Sequence, residues 1–341
     1  MKAVGLTRYL PITDPESLQD VDLPRPEPGE RDLLVRVEAI SVNPVDTKIR
    51  RSKSPDYHET FPRVLGWDAA GVVEGVGSKV TLFQPGNEVY YAGSIDRPGA
   101  NSEYHLVDER IVAMKPRSID MAHTAALPLT AITAYEAIFD RMGISIAGEP
   151  AGKTILIIGG AGGVGSMAIQ IAKIANLRVI ATASRPESQS WCRKMGADEV
   201  IDHTNSIPDQ LHRLHGSPVD CILNTSSPEQ YWAGMCEVIK PQGRICCLVD
   251  TTEAVDLNAL KKKSVTFAWE FMFTRSMHQT EDMIEQHKLL TKVACWIDAG
   301  MIQSTLNETL SPINAATLKT THARLEAGHM VGKLVLTGWP S

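Results

Sequence analysis

The sequence predicts an α/β protein in which a doubly wound parallel sheet is joined to an irregular β barrel. Three observations carry this expectation. From Lys153 onward, short apolar runs alternate with segments of helical character, beginning with Thr154-Ile155-Leu156-Ile157-Ile158, an unbroken run of the kind buried on both faces of a parallel sheet. Residues 1–115 instead carry short β-like runs punctuated by Pro and Gly. Within the second texture, Gly160-Ala161-Gly162-Gly163-Val164-Gly165 follows the first buried run and opens a helix.

Taken in order, the early strands are Leu33-Leu34-Val35-Arg36-Val37-Glu38-Ala39-Ile40, Gly71-Val72-Val73-Glu74-Gly75-Val76-Gly77 and Glu88-Val89-Tyr90-Tyr91. They are separated by Glu27-Pro28-Gly29-Glu30 and Gln84-Pro85-Gly86-Asn87, where Pro presets φ and Gly accepts positive φ. The texture turns Ala-rich near residue 121, and 130–140 reads as a helix. Strands at 154–158, 177–183, 199–201, 219–224 and 243–248 then alternate with helices at 164–175, 187–195, 206–215 and 228–239, with a further strand near 264–269. The closing Gly332-Lys333-Leu334-Val335-Leu336 reads as a lone strand, which has to pair, and the first domain is the natural place. The division expected is residues 1–127 with 276–341 as one domain and 128–275 as the doubly wound domain.

A chain of 341 residues with 43% apolar and 22% charged residues can bury a full core. Its formal charge of −6 argues against a face built for phosphate backbones, so nucleic acid is not an expected partner. Lys261-Lys262-Lys263 is the one compact cationic run. Met1 to Leu10 lacks the apolar core of a secretory signal, and no window is apolar for long enough to span a bilayer. No membrane partner is expected, and the cytoplasm is the default compartment. The six cysteines all lie at or beyond Cys192 and are scattered apart from Cys246-Cys247, whose side chains point to opposite faces of a strand. That is no disulfide framework, and it suits a reducing compartment. His212 and His215 share a helix face but have no third ligand in sequence and read as solvated.

Gly160, Gly162 and Gly165 meet the G-x-G-x-x-G spacing in strand-to-helix context. Missing Cβ atoms let backbone approach a pyrophosphate, and the N–H groups of Gly163, Val164 and their neighbours at the helix start favour its charge. A merely tight turn is the competing reading. A dinucleotide with an unmodified ribose calls for an acid at the end of the second strand. Here that strand ends Ala181-Thr182-Ala183-Ser184-Arg185, with no Asp or Glu from Ser166 through Pro186. The planar fork of Arg185, helped by Ser184, suits a 2′-phosphate, which favours NADPH (NADP+) over NADH. The competing reading makes Arg185 an ordinary surface charge. His203 follows the third strand, either beside the adenosine ribose or as a plain loop residue.

With this order of parts the sequence resembles the medium-chain dehydrogenase/reductase superfamily, and within it the quinone oxidoreductase-like branch. The matching stretches are Ser41-Val42-Asn43-Pro44-Val45-Asp46-Thr47-Lys48, Leu65-Gly66-Trp67-Asp68-Ala69-Ala70-Gly71-Val72-Val73, Leu127-Pro128-Leu129-Thr130-Ala131-Ile132-Thr133-Ala134-Tyr135-Glu136, the glycine loop and Lys194-Met195-Gly196-Ala197-Asp198. Through Trp269-Glu270-Phe271-Met272-Phe273-Thr274-Arg275-Ser276 it is also similar to bacterial proteins called zinc-binding alcohol dehydrogenase family proteins. The resemblance implies a Rossmann domain beside a GroES-like catalytic domain. In zinc-dependent relatives the first ligand is a Cys in the stretch matching 41–48 and the second a His in a Gly-His-Glu matching Gly66-Trp67-Asp68. This chain has neither, and it lacks the cysteine cluster of their structural zinc lobe near residues 90–115, so no metal is expected.

Without a Lewis acid, hydride delivery to a quinone or to the β-carbon of an α,β-unsaturated carbonyl is easier than simple ketone reduction, because hydrogen-bond donors manage the delocalised charge. The resemblance implies candidate donors in Asn43 and Lys48, with Asn43 as a loop-holding residue and Lys48 as a surface charge the competing readings. Thr130 is a candidate for reaching the nicotinamide or substrate, or else a helix N-cap. Asp46 reads as a buttress. The segments around Leu248 and Phe273 are placed beyond strand ends, to meet the nicotinamide or to serve as core. The expected function is that of a zinc-independent NADPH-dependent reductase of a small-molecule quinone or enone, as a homodimer pairing through the strand near 264–269. The alternatives are a zinc alcohol dehydrogenase with atypical ligands and a non-catalytic NADPH-binding protein.

Overall fold

The run at 154–158 forms the strand Thr154–Ile158, in which Ile155, Leu156, Ile157 and Ile158 are all buried. It lies inside a six-stranded parallel sheet ordered Glu199–Ile201, Arg178–Thr182, Thr154–Ile158, Val219–Asn224, Ile239–Cys247 and Thr266–Trp269. The sheet is joined by the helices Gly163–Ile174, Pro186–Lys194, Ile207–His215 and Pro228–Val238. Strand order reverses between Thr154–Ile158 and Val219–Asn224, and in doubly wound sheets ligands collect at the carboxyl ends of the strands flanking such a reversal. The computed structural model describes residues 1–149, 152–215 and 218–340, and the side chain of His215 lies outside the described residues. The expected His212/His215 face therefore cannot be followed there, while His212 itself is exposed beside Glu237.

Two expected elements differ most in their bounds. The fifth strand starts at Ile239, ahead of the expected residue 243, because Val219 pairs with Ile239 before a register shift restores Cys221 to Arg244. The helix expected at 130–140 starts at Pro128, where a missing N–H costs nothing in the first turn, and runs α-helical only to Tyr135. Glu136–Arg141 continues it as a π-helix.

The other unit centres on Asp32–Ser41, which buries Leu33, Val35, Val37, Ala39 and Ile40. This strand pairs antiparallel with Ala69–Val76, Tyr104–Asp108 and the closing strand Lys333–Thr337. Its sheet extends to Glu88–Tyr91 and Val112–Met114 on one side and Leu306–Leu310 on the other. A second sheet is ordered Gln19–Asp22, Lys2–Arg8 and His58–Val64. The helices Glu285–Asp298 and Ala315–Glu326 belong to this unit and have no counterpart in the sequence reading, although Leu289, Leu290, Val293 and Ile297 are buried at helical spacing. The chain divides into two compact units, residues 1–129 with 273 onward, and Thr130–Met272. Among the described residues, no helix is long and apolar enough to cross a membrane.

Packing makes Gly165 structurally obligatory, because a Cβ there would sit 2.2 Å from the Gly159 carbonyl oxygen and 2.7 Å from the Gly160 Cα, both backbone. Gly165→Ala should lower unfolding stability by roughly 1–3 kcal/mol, measured by urea titration. An unchanged midpoint would contradict this loop packing.

Candidate active site

The glycine loop distributes three different tasks. A Cβ at Gly160 would lie 2.7 Å from the Ala181 Cβ and 3.1 Å from the Cys192 Sγ, so this glycine lets strand, loop and helix Pro186–Lys194 approach. Gly165 admits the helix close to the loop backbone. Gly162 is different. Its φ of −70° and ψ of 172° are ordinary, and the nearest atom to a built Cβ is the Gly159 carbonyl oxygen at 3.6 Å. Neither backbone nor packing within the protein requires glycine there. Open space at the start of a twelve-residue helix, next to the N–H groups of Gly163 and Val164, fits a pyrophosphate brought against the backbone.

Around that loop, Ser184 and Arg185 follow strand Arg178–Thr182 and are half-buried. Arg185 pairs with Glu187 at 3.1 Å in a solvent-facing contact, which is weak enough for a dianionic phosphate to displace. His203 follows strand Glu199–Ile201, half-buried, and its Nδ1 is buried with no hydrogen-bond partner among the described residues. Leu248 is half-buried, and its N–H donates to the Asn224 carbonyl at 3.2 Å. Thr130 is buried as the third residue of helix Pro128–Tyr135, so it is not the N-cap. Asn224 ends strand Val219–Asn224 at the reversal and Thr225 follows it, two polar residues that the sequence expectation does not single out. The Thr225 hydroxyl donates to the Ile158 carbonyl at 2.8 Å and closes on Gly159. A polar Asn-Thr pair ending an apolar strand run was the available signal.

In the first unit the matching stretches 41–48 and 65–73 meet at a buried polar set. The Lys333 ammonium donates to the Val42 carbonyl at 2.8 Å, to Asp68 Oδ2 at 3.0 Å and to Asn43 Oδ1. Asn43 Nδ2 donates to Asp68 Oδ2 at 2.8 Å, and the Leu129 N–H donates to Asp68 Oδ1 at 2.7 Å. Asn43 is 1% exposed and gives both ends of its amide to these neighbours, which corrects the expectation of an amide aimed at substrate: burial commits it to holding the loop. Asn43 also starts helix Pro44–Arg50, and its N–H donates to Asp46 Oδ2 at 2.7 Å. Lys48 is exposed on that helix. Phe273 is buried edge-on to Trp67, with ring centroids 6.3 Å apart. Lys333 was visible to the sequence reading only as part of the closing strand. A lysine flanked by apolar residues in a short strand was the unused signal.

Burial pushes the Asp46 carboxyl up to about 7, against the Asn43 N–H and the Lys333 charge, which favour ionisation. Its Oδ1 is buried with no hydrogen-bond partner among the described residues. Burial also raises the Asp68 carboxyl, opposed first by Lys333.

These residues do not fit a catalytic zinc, which needs three thiolate, imidazole or carboxylate ligands and an open position. Trp67 stands at the expected imidazole position and points its one polar atom at the Ser94 carbonyl, 3.0 Å away. An ammonium already lies among the oxygens of Val42, Asn43 and Asp68. Among the described residues, no group of three or more His, Cys, Asp or Glu side chains is arranged to hold a metal ion.

Family models for an alcohol dehydrogenase GroES-like domain and a zinc-binding dehydrogenase match residues 29–117 and 163–311. A zinc-type alcohol dehydrogenase-like protein of Staphylococcus aureus is 45% identical over 98% of this chain and 99% of its own length. The chain belongs to the medium-chain dehydrogenase/reductase superfamily. A crystal structure of a Rhizobium etli protein assigned as a zinc-dependent alcohol dehydrogenase superposes with a TM-score of 0.94 at 49% identity, covering 100% of this chain and 99% of that one. A spinach chloroplastic quinone-oxidoreductase homolog is 31% identical over 79% of this chain and 78% of its own. This medium-chain dehydrogenase/reductase is thus an oxidoreductase with a GroES-like domain and a Rossmann domain, a fold that binds nicotinamide cofactors.

Gly162→Ala is expected to keep the fold, with a melting temperature within about 2 °C of wild type, and to weaken NADPH binding by at least about tenfold in a fluorescence titration. For Asp46, the folded state retains a proton that the unfolded carboxyl releases above its ordinary 3.8, so stability falls as pH rises from about 4 to about 7 and this contribution is flat beyond. The stability difference between wild type and Asp46→Asn should therefore drop by roughly 1.4 kcal/mol per pH unit in that window, read by denaturant unfolding. A constant difference would refute the buried proton.

Proposed function

We propose that this protein is a zinc-independent, NADPH-dependent oxidoreductase that passes a hydride to a quinone or to the β-carbon of an α,β-unsaturated carbonyl compound. The observation that carries this reading is the Lys333 ammonium seated among Val42, Asn43 and Asp68 beside Trp67, where the chemistry of the donor set is wrong for a zinc-bound alkoxide. The resemblance of the spinach quinone-oxidoreductase homolog supports it.

Reduced nicotinamide, when bound, supplies the hydride. The backbone from Gly160 to Gly165 takes the pyrophosphate, Ser184 and Arg185 take the 2′-phosphate, and His203 offers its buried nitrogen to the adenosine ribose. Within the Rossmann unit, Thr130, Leu248 and the residues leading up to Phe273 flank the nicotinamide. A conjugated acceptor spreads the incoming charge onto an oxygen remote from the attacked carbon, where donors replace a Lewis acid. Lys48, exposed on helix Pro44–Arg50, supplies that cation and passes a proton from solvent. Lys333, Asp68 and Asn43 hold the loop that carries it. The enzyme acts in the cytoplasm as a homodimer paired through the edge strand Thr266–Trp269, whose Trp269 is 47% exposed.

Paired titrations with NADPH and NADH, followed by a panel of quinones, enals, enones and simple alcohols in the presence of chelator, test this reading. NADPH should bind at least about tenfold tighter than NADH, and Arg185→Ala should remove about that factor for NADPH alone. Turnover should persist with chelator on conjugated acceptors. About one zinc per chain, with activity on alcohols that is lost to the chelator, would instead make the protein a zinc alcohol dehydrogenase, and tight NADPH binding with no turnover would make it a non-catalytic binder.

A further inference from the structure

Within the Rossmann unit, two carboxylic acids are buried at one point. Glu136 is 0% exposed and Glu270 is 2% exposed, their carboxyl groups converge on Arg141, and Glu270 Oε1 is buried with no hydrogen-bond partner among the described residues. Arg141 reaches both, with Nε donating to Glu270 Oε2 at 2.7 Å and Nη2 lying 3.5 Å from Glu136 Oε2. Two buried carboxyls crowded against a single guanidinium do not both ionise in a dry site, and one proton held between them relieves the repulsion. One proton, two acids and one guanidinium leave the group electrically neutral. The Cys246 thiol on strand Ile239–Cys247 also faces the group, and burial holds it neutral well above its ordinary range.

The elements joined here give the pair its interest. Glu136 and Arg141 belong to the π-helical end of the helix that carries Thr130, and π-helical turns recur at functional sites. Glu270 follows strand Thr266–Trp269 and donates its N–H to the Cys247 carbonyl at 3.0 Å, immediately before Leu248 and two residues before Met272. The carboxyl pair therefore ties together three segments that, on the function proposed above, frame the nicotinamide.

We propose that Glu136 and Glu270 are positioning residues, sharing one proton under Arg141 as a latch that fixes the Thr130 helix and the strand ends at Cys247 and Glu270 in the arrangement that binds the nicotinamide end of the cofactor. This inference rests on reading the unit as an NADPH site. Loss of the shared proton puts two negative charges against one guanidinium in an apolar interior and removes the bond between helix and strand end. Burial and the neighbouring Glu136 charge push the Glu270 carboxyl up to about 9, which places the loss in the alkaline range.

NADPH fluorescence titrations of the full chain between pH 6.5 and 10 test the latch. For wild type, the Kd should stay flat to about pH 8.5 and weaken by about tenfold at pH 10. Glu270→Gln, whose amide still donates to Glu136 but does not titrate, should bind within about threefold of wild type at pH 7.5 and lose the alkaline limb. Glu136→Gln should lose the same limb, which keeps the test available if one variant fails to fold. A flat wild-type profile to pH 10, or an undiminished alkaline limb in both Gln variants, overturns the latch while leaving the cofactor reading intact. Failure of wild type to bind either NADPH or NADH at pH 7.5 overturns the cofactor reading itself, and the latch with it.

Discussion

A lysine and an aspartate can share an apolar interior only if each donor and acceptor finds a partner, and Lys333 with Asp68 satisfies that condition by drawing distant parts of the first unit to one place. The ammonium uses all three protons on Val42, Asn43 and Asp68, and the Asp68 carboxylate takes its remaining bonds from Asn43 and from the backbone of Leu129. The closing strand, the loop before helix Pro44–Arg50, the turn after Trp67 and the residue preceding Thr130 are thereby fixed together. Removing either charge would leave the other buried and uncompensated, which is far costlier than losing a surface pair. Asn43 is held by this pair, which is why its amide is committed inward while Lys48, on the same helix, stays in solvent.

The Rossmann unit is governed by a different constraint, close approach of backbone. Gly160 and Gly165 are spent on fitting strand and helix together, whereas Gly162 leaves a space that the protein does not fill. The same unit buries Glu136 and Glu270 together at Arg141, where helix Pro128–Tyr135 and its π-helical end meet the end of strand Thr266–Trp269.

Relatives named for zinc are similar to this chain along nearly its whole length, while the groups this chain itself places at Trp67 and Lys333 are not metal ligands. An indole that donates to Ser94 and an ammonium that donates to three oxygens are both donors, and a metal needs acceptors. A fold can keep its body while its reactive groups are replaced, because body and site depend on different residues.

The alternation of apolar strands with helices and the glycine spacing between strand and helix are local patterns, and they made the Rossmann unit legible from sequence. Trp67 in place of an imidazole was legible for the same reason. The tertiary structure alone decided the partners of Lys333, which is more than two hundred and fifty residues from Asp68 along the chain. It also decided that Asn43 turns inward and that Glu136 meets Glu270. Each of these depends on which distant strands become neighbours, and buried polar groups carry no periodic signature that would announce their partners in advance.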